Sequence, residues 1–433
     1  MLIHVAFQAL LFLLFVSFTT TSATRFALVH RDYYEPSSSP HQNNHFEARM
    51  KRDAMRVASL TRLVAAKEAG GSKTDLQHLG EYLAKVGVGT PPQTQTLVID
   101  TGSSMLWVQC KPCDPPCYPQ LDPVFDPKKS TSFVDVGCDD LNCYKVEEDS
   151  RGCDNTQSTC TYEYTYGDGT DISGTMAIEN ITIGDITVPN IIIGCTHKAQ
   201  GLITENLEDG VLGLGGGSVS VMSQSGGLIG GMFSYCLGDS TKGGWLEFGR
   251  SNHIPKDNNI TWATLIHNPK QPSFYYIDLV GLSVGGEVLG ISGDTFQINQ
   301  ETGEGGVILD TGTVVTRLPQ VAYEALRDKF KEKMGNIATV DGAISIFDTC
   351  YNQDEVDLNN VPTVSFNFSS QGFQPVSITL EATNVLYDLA VYVCLAFAPS
   401  PTNFGIIGNM QQQGIQITID ATGGYVGFGS GPC

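Results

Sequence analysis

Residues 97–104, LVIDTGSS, contain the element around which the rest of the chain is arranged. Three apolar residues lead into Asp100, and a threonine, a glycine and two serines follow it directly. This pattern predicts a buried strand that carries a carboxylate to its end, where a turn begins. The pattern returns at residues 307–313, VILDTGT, which contain a second carboxylate, Asp310. The repetition indicates a duplicated architecture with one carboxylate from each half.

Paired carboxylates of this kind have a chemical use. Two carboxylates held a few ångströms apart cannot both ionise easily, so they share a proton. One then acts as a base and the other as an acid. A single Asp-Thr-Gly tripeptide is more often an ordinary turn, because Asp and Gly favour turn geometry. Two copies in matched apolar contexts make the catalytic interpretation of Asp100 and Asp310 more specific.

Further motifs give these two elements a family context. An apolar-apolar-Gly element follows each aspartate, as VLG at residues 211–213 and IIG at residues 406–408. The other motifs are GEYL at residues 80–83, GTPP at 89–92, YGDG at 166–169, FSYCL at 233–237 and IIGN at 406–409. Together they make the chain resemble the pepsin-type aspartic proteases, and within that class the nepenthesin-like, or atypical, plant enzymes. The resemblance covers nearly everything after residue 79.

The resemblance implies a fold. It is mostly β and bilobal, with two pseudo-symmetric β-rich lobes and an active-site cleft between them. Short β-rich runs punctuated by Gly, Pro, Asn or Asp fit this expectation. We expect the N-terminal lobe at residues 80–237 and the C-terminal lobe at residues 238–433. One helix is predicted at residues 320–334, where apolar residues recur every four positions and Gly335 follows.

The resemblance also assigns roles around the two aspartates. The threonine after each aspartate is expected to hydrogen bond to its counterpart, and the hydroxyl residue after each glycine to hold an outer carboxylate oxygen. Two carboxylates must be kept coplanar around one water, so their side chains need such support. The supporting residues are Thr101, Gly102, Ser103, Thr311, Gly312 and Thr313.

The YGDG motif has two interpretations. Asp-Gly is a strong signal for a hairpin turn, which is the simpler one. The resemblance implies that Tyr166, Gly167 and Asp168 form the tip of a flap over the cleft. Tyr166 would then close on the substrate, with Trp107 behind it.

The residues before position 80 differ from the rest. Residues 1–23 contain no Lys, Arg, Asp or Glu, and they have an apolar core followed by small residues, as in a secretory signal peptide. Residues 24–79, called the leader below, contain nine basic and six acidic residues, which leaves 16 of 25 basic and 40 of 46 acidic residues to positions 80–433. A basic leader on an acidic body predicts an electrostatically docked pro-segment. A disordered linker is the alternative for such a composition.

The chain has twelve cysteines, all after residue 109, and seven of them lie within residues 110–160. An even number behind a secretory signal favours six disulfides. Cys110 and Cys113 have the spacing of half a zinc site, but a second half-site is missing, so we expect no metal. The resemblance identifies residues 110–160, approximately, as a cysteine-rich insertion. The pairings it implies are Cys110–Cys113, Cys117–Cys195, Cys138–Cys160, Cys143–Cys153, Cys236–Cys433 and Cys350–Cys394.

Composition also limits the partners and the location. The acidic body disfavours nucleic acid and anionic membrane surfaces. No stretch is long and apolar enough for a comfortable membrane span. Asn180, Asn259 and Asn367 lie in glycosylation sequons, which matter if the chain is secreted. We expect a monomer exported to the extracellular space, the apoplast, with the vacuole as the alternative destination.

The expected function is that of an aspartic endopeptidase made as a zymogen and active at acidic pH, without a cofactor. Its partners would be its own pro-segment and an extended peptide or protein substrate, bound through main-chain hydrogen bonds. The resemblance implies a preference for large apolar side chains. Two alternatives remain: a catalytically silent binding or inhibitor protein on the same fold, and a two-carboxylate glycosidase. The intact aspartates and Tyr166 weigh against the first, and the paired Asp-Thr-Gly elements do not suit the second.

Overall fold

The structure is a computed structural model, and it describes residues 24–33, 42–65, 81–113, 117–165, 171–201, 207–239, 242–249, 260–370, 375–430 and 433. The predicted signal peptide at residues 1–23 lies outside these residues. Most regular structure in the described part of the chain is strand, which confirms the mostly β prediction. The helices described here are all too short or too polar to cross a membrane.

The strands of the leader and the first half of the chain alternate with short turns. They are β1 Thr24–His30, β2 Tyr82–Val88, β3 Gln93–Asp100, β4 Trp107–Gln109, β5 Val134–Asp135, β6 Arg151–Asp154, β7 Thr159–Thr165, β8 Asp171–Ile183, β9 Ile186–Gln200, β10 Gly210–Gly213, β11 Met232–Leu237 and β12 Gly244–Phe248.

The second half contains shorter strands on average. They are β13 Ile260–Ile266, β14 Tyr276–Ile277, β15 Leu279–Val284, β16 Glu287–Val288, β17 Val307–Leu309, β18 Thr316–Leu318, β19 Cys350–Asn352, β20 Val364–Phe368, β21 Val376–Leu380, β22 Leu386–Asp388, β23 Tyr392–Leu395, β24 Phe397–Pro399, β25 Gly405–Ile407, β26 Ile415–Asp420 and β27 Tyr425–Ser430.

The described α-helices are α1 Gln42–Ala65, α2 Val221–Gln224, α3 Gln320–Met334, α4 Ala382–Val385 and α5 Asn409–Gln412. Helix α3 has the predicted bounds. It buries one face through Ala322, Leu326, Phe330 and Met334 and ends before Gly335, whose φ is 71°. Helix α1 belongs to the leader, which contains helix formers, and we call it the leader helix.

Each half of the chain places its aspartate at the end of a parallel pair of strands. Strand β3 ends at Asp100 and lies parallel to β10, with Asp100 beside Gly213. Strand β17 leads directly into Asp310 and lies parallel to β25, with Leu309 beside Ile407. The acidic element and the apolar-apolar-Gly element are therefore neighbours in both halves. This repetition confirms the bilobal, pepsin-like fold.

A continuous antiparallel ladder connects the two lobes and includes a strand of the leader. In this ladder β1 pairs with both β2 and β12, β12 with β11, β11 with β26, β26 with β27, and β27 with β13. Phe26, Leu28 and His30 are the more buried positions of β1 and alternate with more exposed ones, as expected for a strand with one face on the core. The leader is thus part of the sheet as well as the source of α1.

The twelve cysteines form six disulfides, but four of the predicted pairings are wrong. Cys236–Cys433 and Cys350–Cys394 are present as predicted. The pairings Cys110–Cys113, Cys117–Cys195, Cys138–Cys160 and Cys143–Cys153 are replaced. The structure instead has Cys110–Cys195, Cys113–Cys117, Cys138–Cys153 and Cys143–Cys160.

Strand pairing and burial explain these corrections. Strands β4 and β9 run parallel with Val108 beside Cys195, so Cys110, directly after β4, lies with its Cα 5.3 Å from that of Cys195. Within the insertion, Cys143 and Cys160 are both buried in the N-terminal core and bond to each other. The more exposed Cys138 and Cys153 form the second bridge. The two bridges are therefore interleaved along the chain rather than nested.

We expect alanine at both Cys110 and Cys195 to lower the free energy of unfolding more than alanine at both Cys138 and Cys153. The first bridge spans 85 residues and the second 15. Closing loops of these sizes is worth roughly 4–5 and about 3 kcal/mol in the chain-entropy model. Denaturant unfolding at neutral pH measures the difference, and non-reducing peptide mapping checks the pairings. Equal losses for the two pairs would contradict this expectation.

Candidate active site

The two Asp-Thr-Gly turns meet where the lobes face each other, and their threonines hold them together. The Thr101 amide donates a hydrogen bond to Thr311 Oγ1 at 3.2 Å, and the Thr311 amide donates to Thr101 Oγ1 at 3.0 Å. Each hydroxyl also donates across the interface, Thr101 to the carbonyl of Leu309 at 3.1 Å and Thr311 to that of Ile99 at 3.2 Å. These four bonds fix the aspartates, one residue earlier, with respect to each other.

The glycines of the two turns allow the carboxylates to approach. A Cβ at Gly102 would lie 2.6 Å from Asp310 Oδ1, and a Cβ at Gly312 would lie 3.0 Å from Asp100 Oδ1. The first distance is too short for a carbon and a carboxylate oxygen and the second is tight, so both turns favour a residue without a side chain. The same glycines donate backbone hydrogen bonds to their own aspartates, at 3.0 and 3.1 Å.

The outer carboxylate oxygens are supported unequally. The Thr313 hydroxyl donates to Asp310 Oδ2, as the resemblance implies. The Ser103 hydroxyl is buried near Asp100 and lowers its pKa, but it does not reach hydrogen-bonding geometry within the described residues. This part of the prediction needs correction. Both oxygens of Asp100 accept hydrogen bonds from Arg56 instead.

Arg56 of the leader helix lies between the two carboxylates. Its Nη2 donates to Asp100 Oδ1 at 2.6 Å and to Asp310 Oδ1 at 2.9 Å. Its Nη1 donates to Asp100 Oδ2 and its Nε to Asp310 Oδ2, each at 3.1 Å. All four carboxylate oxygens are therefore bound by one guanidinium, and all three side chains are buried.

Burial and charge act in opposite directions at this site. Burial raises the pKa of Asp100, and the neighbouring Asp310 adds to this rise, while Arg56 opposes it. Burial alone would lower the pKa of Arg56, but the two carboxylates outweigh burial and raise it. Arg56 therefore stays charged, and Asp100 takes up a proton at higher pH than an ordinary aspartate.

The predicted flap lies outside the described residues. This applies to Tyr166, Gly167 and Asp168, so their position over the cleft stays a prediction. Trp107 is described and lies on β4, almost fully buried in the core of the N-terminal lobe.

The residue patterns do not single out Arg56, although they contain a signal for its helix. Residues 46, 50, 53, 57, 60 and 64 are spaced alternately by four and three, which places them on one helical face. Five of the six are apolar and the sixth is Asp53. Such a stripe predicts a helix that is buried along one side. Arg56 lies next to this stripe and therefore enters the interface with it.

Two sequons are described and both asparagines already make hydrogen bonds. Asn180 Nδ2 donates to Thr90 Oγ1 at 3.1 Å, and Asn367 Nδ2 donates to Ser283 Oγ at 2.9 Å. The third, Asn259, lies outside the described residues. Glycosylation at these positions stays a prediction.

The chain is similar to known plant proteins along most of its length. Family models described as Xylanase inhibitor N-terminal and Xylanase inhibitor C-terminal match residues 82–250 and 274–430. A protein of Arabidopsis thaliana, "Protein ASPARTIC PROTEASE IN GUARD CELL 2", is 42% identical over 439 aligned positions, which cover 96% of this chain and 89% of that protein. The chain belongs to the pepsin-type aspartic proteases of plants.

Further comparisons agree with this family. "Aspartic proteinase nepenthesin-2" of Nepenthes gracilis is 37% identical over 81% of this chain and 77% of its own length. A solved structure titled "Crystal structure of edgp" superposes with a TM-score of 0.65 and 21% identity, covering 83% of this chain and 93% of that one, which supports the fold alone. With both aspartates in place, this plant aspartic protease is an aspartic-type endopeptidase.

Substitution of Thr311 tests how much the threonine contact contributes to stability. Thr311→Val keeps the side-chain shape but removes the bonds to the Thr101 amide and the Ile99 carbonyl. We expect it to lower the free energy of unfolding by about 3 kcal/mol, because it leaves buried polar groups unpaired. Thr311→Ser keeps the hydroxyl and should cost less than about 1.5 kcal/mol. Urea unfolding at neutral pH measures both, and equal losses would show that the hydrogen bonds contribute little.

Proposed function

We propose that this plant aspartic protease is made as an inactive precursor, is exported from the cell, and becomes an active endopeptidase when acid releases its leader. The observation that carries the proposal is the position of Arg56. Its guanidinium binds all four oxygens of Asp100 and Asp310, so a substrate and the leader cannot use the two carboxylates at the same time.

In the released enzyme the carboxylates would act on a water molecule. The position of Arg56 Nη2, which donates to one oxygen of each aspartate, suits a water that donates a hydrogen bond to both. The ionised aspartate removes a proton from this water as its oxygen attacks the scissile carbonyl. The protonated aspartate donates a hydrogen bond to the carbonyl oxygen as negative charge develops there, and it helps to protonate the leaving amine.

The leader helix covers the cleft with a large apolar contact. Phe46 and Met50 pack in a buried cluster with Val314, Phe347 and Tyr387 of the C-terminal lobe. Further along the helix, a second cluster joins leader residues to the same lobe. Its members are Val57, Leu60, Val64, Phe274, Tyr276, Ile298, Ile308, Phe404 and Ile406. Burial of this stripe stabilises the bound leader and leaves Arg56 in a fixed position.

Charged contacts give the leader its sensitivity to acid. Arg49 of the leader helix donates a hydrogen bond to Glu81 Oε1 at 2.5 Å, and His30 Nε2 of the leader strand lies 3.5 Å from Glu81 Oε2. Burial alone would raise the pKa of Glu81, but Arg49 and His30 outweigh it and hold the pKa well below its usual range. Glu81 thus forms its ion pair with Arg49 of the leader only while it is ionised, and His30 lies beside it.

The direction of the pH effect follows from linkage. Once the leader leaves, the pKa of Glu81 returns towards that of an ordinary glutamate, about 4.3. A carboxyl group with a lower pKa in the bound state contributes to binding above its released pKa. That contribution is lost progressively as the pH falls below this value. Leader binding should therefore weaken below about pH 5, in the acidic range proposed for activity.

Export and processing complete the proposal. Six disulfides are typical of an oxidising compartment, which supports export to the apoplast or, as the alternative, the vacuole. We expect the cut near residues 70–82, most of which lie outside the described residues, as does the predicted signal peptide. A silent inhibitor function is not favoured, because such a protein would not need two carboxylates in this geometry.

Substitution of Arg56 tests the inhibitory contact. We expect the Arg56→Gln precursor to hydrolyse a fluorogenic peptide at a pH where the wild-type precursor is inactive but the processed enzyme is still active. The gain should be tenfold or more, since charged hydrogen bonds to both aspartates are lost. Lys51→Gln, an exposed substitution on the same helix, is the matched control and should remain silent.

Peptide hydrolysis by the Arg56→Gln precursor must also depend on the two carboxylates. Adding Asp310→Asn to Arg56→Gln should abolish the hydrolysis, because one carboxyl group of the pair can then no longer exchange a proton. Hydrolysis that survives this double substitution would refute the assignment of the active site. An Arg56→Gln precursor that is as inactive as the wild-type precursor would refute the inhibitory role of Arg56, but not the assignment of the active site.

Glu81→Gln tests the acid response. This variant should lose its leader at a higher pH than wild type, with a shift of about one pH unit, because the amide cannot carry the charge that binds Arg49. The pH of half-conversion is read from gels after a fixed incubation, and N-terminal sequencing locates the cut. Glu301→Gln, an exposed control, should convert like wild type. An unchanged midpoint for Glu81→Gln would exclude Glu81 as the acid-sensitive contact.

A further inference from the structure

One residue of the buried stripe of the leader helix is ionisable. Burial raises the pKa of Asp53, while Arg317 and two backbone amides oppose the rise. Asp53 lies between Met50 and Val57 on the face that packs against the C-terminal lobe, and only 1% of its surface is exposed. Its Oδ1 accepts hydrogen bonds from the amides of Val314 at 2.6 Å and Val315 at 3.3 Å. An aspartate in the middle of an apolar interface needs such compensation, since an unpaired buried charge is strongly unfavourable.

The partner of the other Asp53 oxygen is an arginine of the enzyme body. Arg317 Nη2 donates to Asp53 Oδ2. Arg317 lies on β18, which follows the second Asp-Thr-Gly turn, and 3% of its surface is exposed. It is paired with Ile406 across the sheet, and Ile406 packs in the same cluster as Val57 of the leader helix. Arg317 therefore points into the part of the cleft that the helix covers.

Removal of the leader leaves this arginine without its carboxylate. Among the ion pairs that the structure describes, Arg317 has Asp53 as its acidic partner. Its other described hydrogen bond, from Nη1 to the carbonyl of Val315, is long at 3.4 Å. The released cleft would thus present a guanidinium and two backbone amides that point at one place. Three N–H donors around one point form a site for an anion.

We propose that Arg317 is a specificity-determining residue, which binds an aspartate or glutamate side chain of the substrate in the position that Asp53 occupies in the precursor. The inference rests on the proposed release of the leader. It adds to the apolar preference that the family resemblance implies, because the apolar clusters around Phe46 and Val57 lie on either side of the Asp53 position. The preferred substrate is therefore an apolar segment with one acidic residue.

The helix geometry locates this acidic residue along the substrate. Asp53 precedes Arg56 by three residues, which corresponds to about 4.5 Å along a helix axis. An extended peptide advances about 3.3 Å per residue. Arg56 marks the position of the reacting atoms, so the acidic side chain of a substrate should belong to a residue within two positions of the cleaved bond.

Matched peptides test this preference on the acid-processed enzyme. Each peptide has apolar residues around the cleaved bond. Four positions are varied, two before the bond and two after it, and each peptide carries either Asp or Asn at one of them. At one of these positions we expect kcat/KM to be tenfold or more higher for Asp than for Asn, when measured at pH 4.5–5. Cleavage of both peptides at equal rates in all positions would overturn the proposal. Absence of any cleavage would instead refute the proposed function.

Variants identify the residue responsible. Arg317→Met combined with Asp53→Leu removes both members of the ion pair, so the precursor keeps no unpaired buried charge. Its processed enzyme should cleave Asp and Asn peptides at equal rates, and a retained preference for Asp would overturn the proposal. Arg327→Met, a change of a surface arginine on α3, should keep the preference. Asp53→Asn alone should also keep it, because the substitution is lost with the leader.

A second measurement needs no variant of the enzyme body, which guards against misfolding of the double variant. A synthetic peptide of residues 42–65 should inhibit the processed wild-type enzyme tenfold or more better than the same peptide with Asp53→Asn. Equal inhibition by the two peptides would show that the site around Arg317 does not select a carboxylate, and would overturn the proposal as well.

Discussion

Two carboxylates that are buried side by side repel each other, and much of the structure serves to hold them together. The repulsion is strong because neither side chain is exposed to water. The threonine contact between Thr101 and Thr311 resists it through the backbone of both lobes, and Gly102 and Gly312 leave room for the carboxylates to approach each other. In the structure the guanidinium of Arg56 neutralises part of the charge. The repulsion between the two carboxylates, which makes the site reactive, thus also makes it a strong binding site for a cation.

The leader uses this property in a way that resembles substrate binding. It offers a cation to the aspartates, an acid to Arg317 and apolar side chains to the walls of the cleft. A helix cannot be cut at Arg56, because its peptide groups are occupied by internal hydrogen bonds and its side chain, rather than its backbone, reaches the carboxylates. The same contacts in an extended peptide would place a carbonyl near the aspartates. The proposed inhibition and the proposed specificity therefore depend on the same surface.

The lobes and the aspartates could be predicted because the same sequence pattern occurs twice in the chain. Asp100 and Asp310 occur in the same local pattern, and β10 and β25 repeat the strand that supports each of them. The bonding partners of Cys110 and Cys143 could not be predicted from spacing, because they depend on which strands lie side by side and which cysteines are buried. The role of Arg56 was equally hidden. It depends on how a helix 44 residues earlier in the chain docks against Asp100, which no local pattern encodes.

The leader is held at two separate places, the strand β1 in the ladder and the helix α1 in the cleft, and residues 34–41 connect them. As the proposed pro-segment, it would therefore be a bivalent ligand of the protease. After a cut beyond residue 65 the helix would remain tethered through the strand, at a high effective concentration next to the cleft. A cut alone would not free the active site, since either half can rebind while the other holds. Dissociation requires that both attachments weaken together, and Glu81, which contacts His30 of one and Arg49 of the other, is placed to couple them.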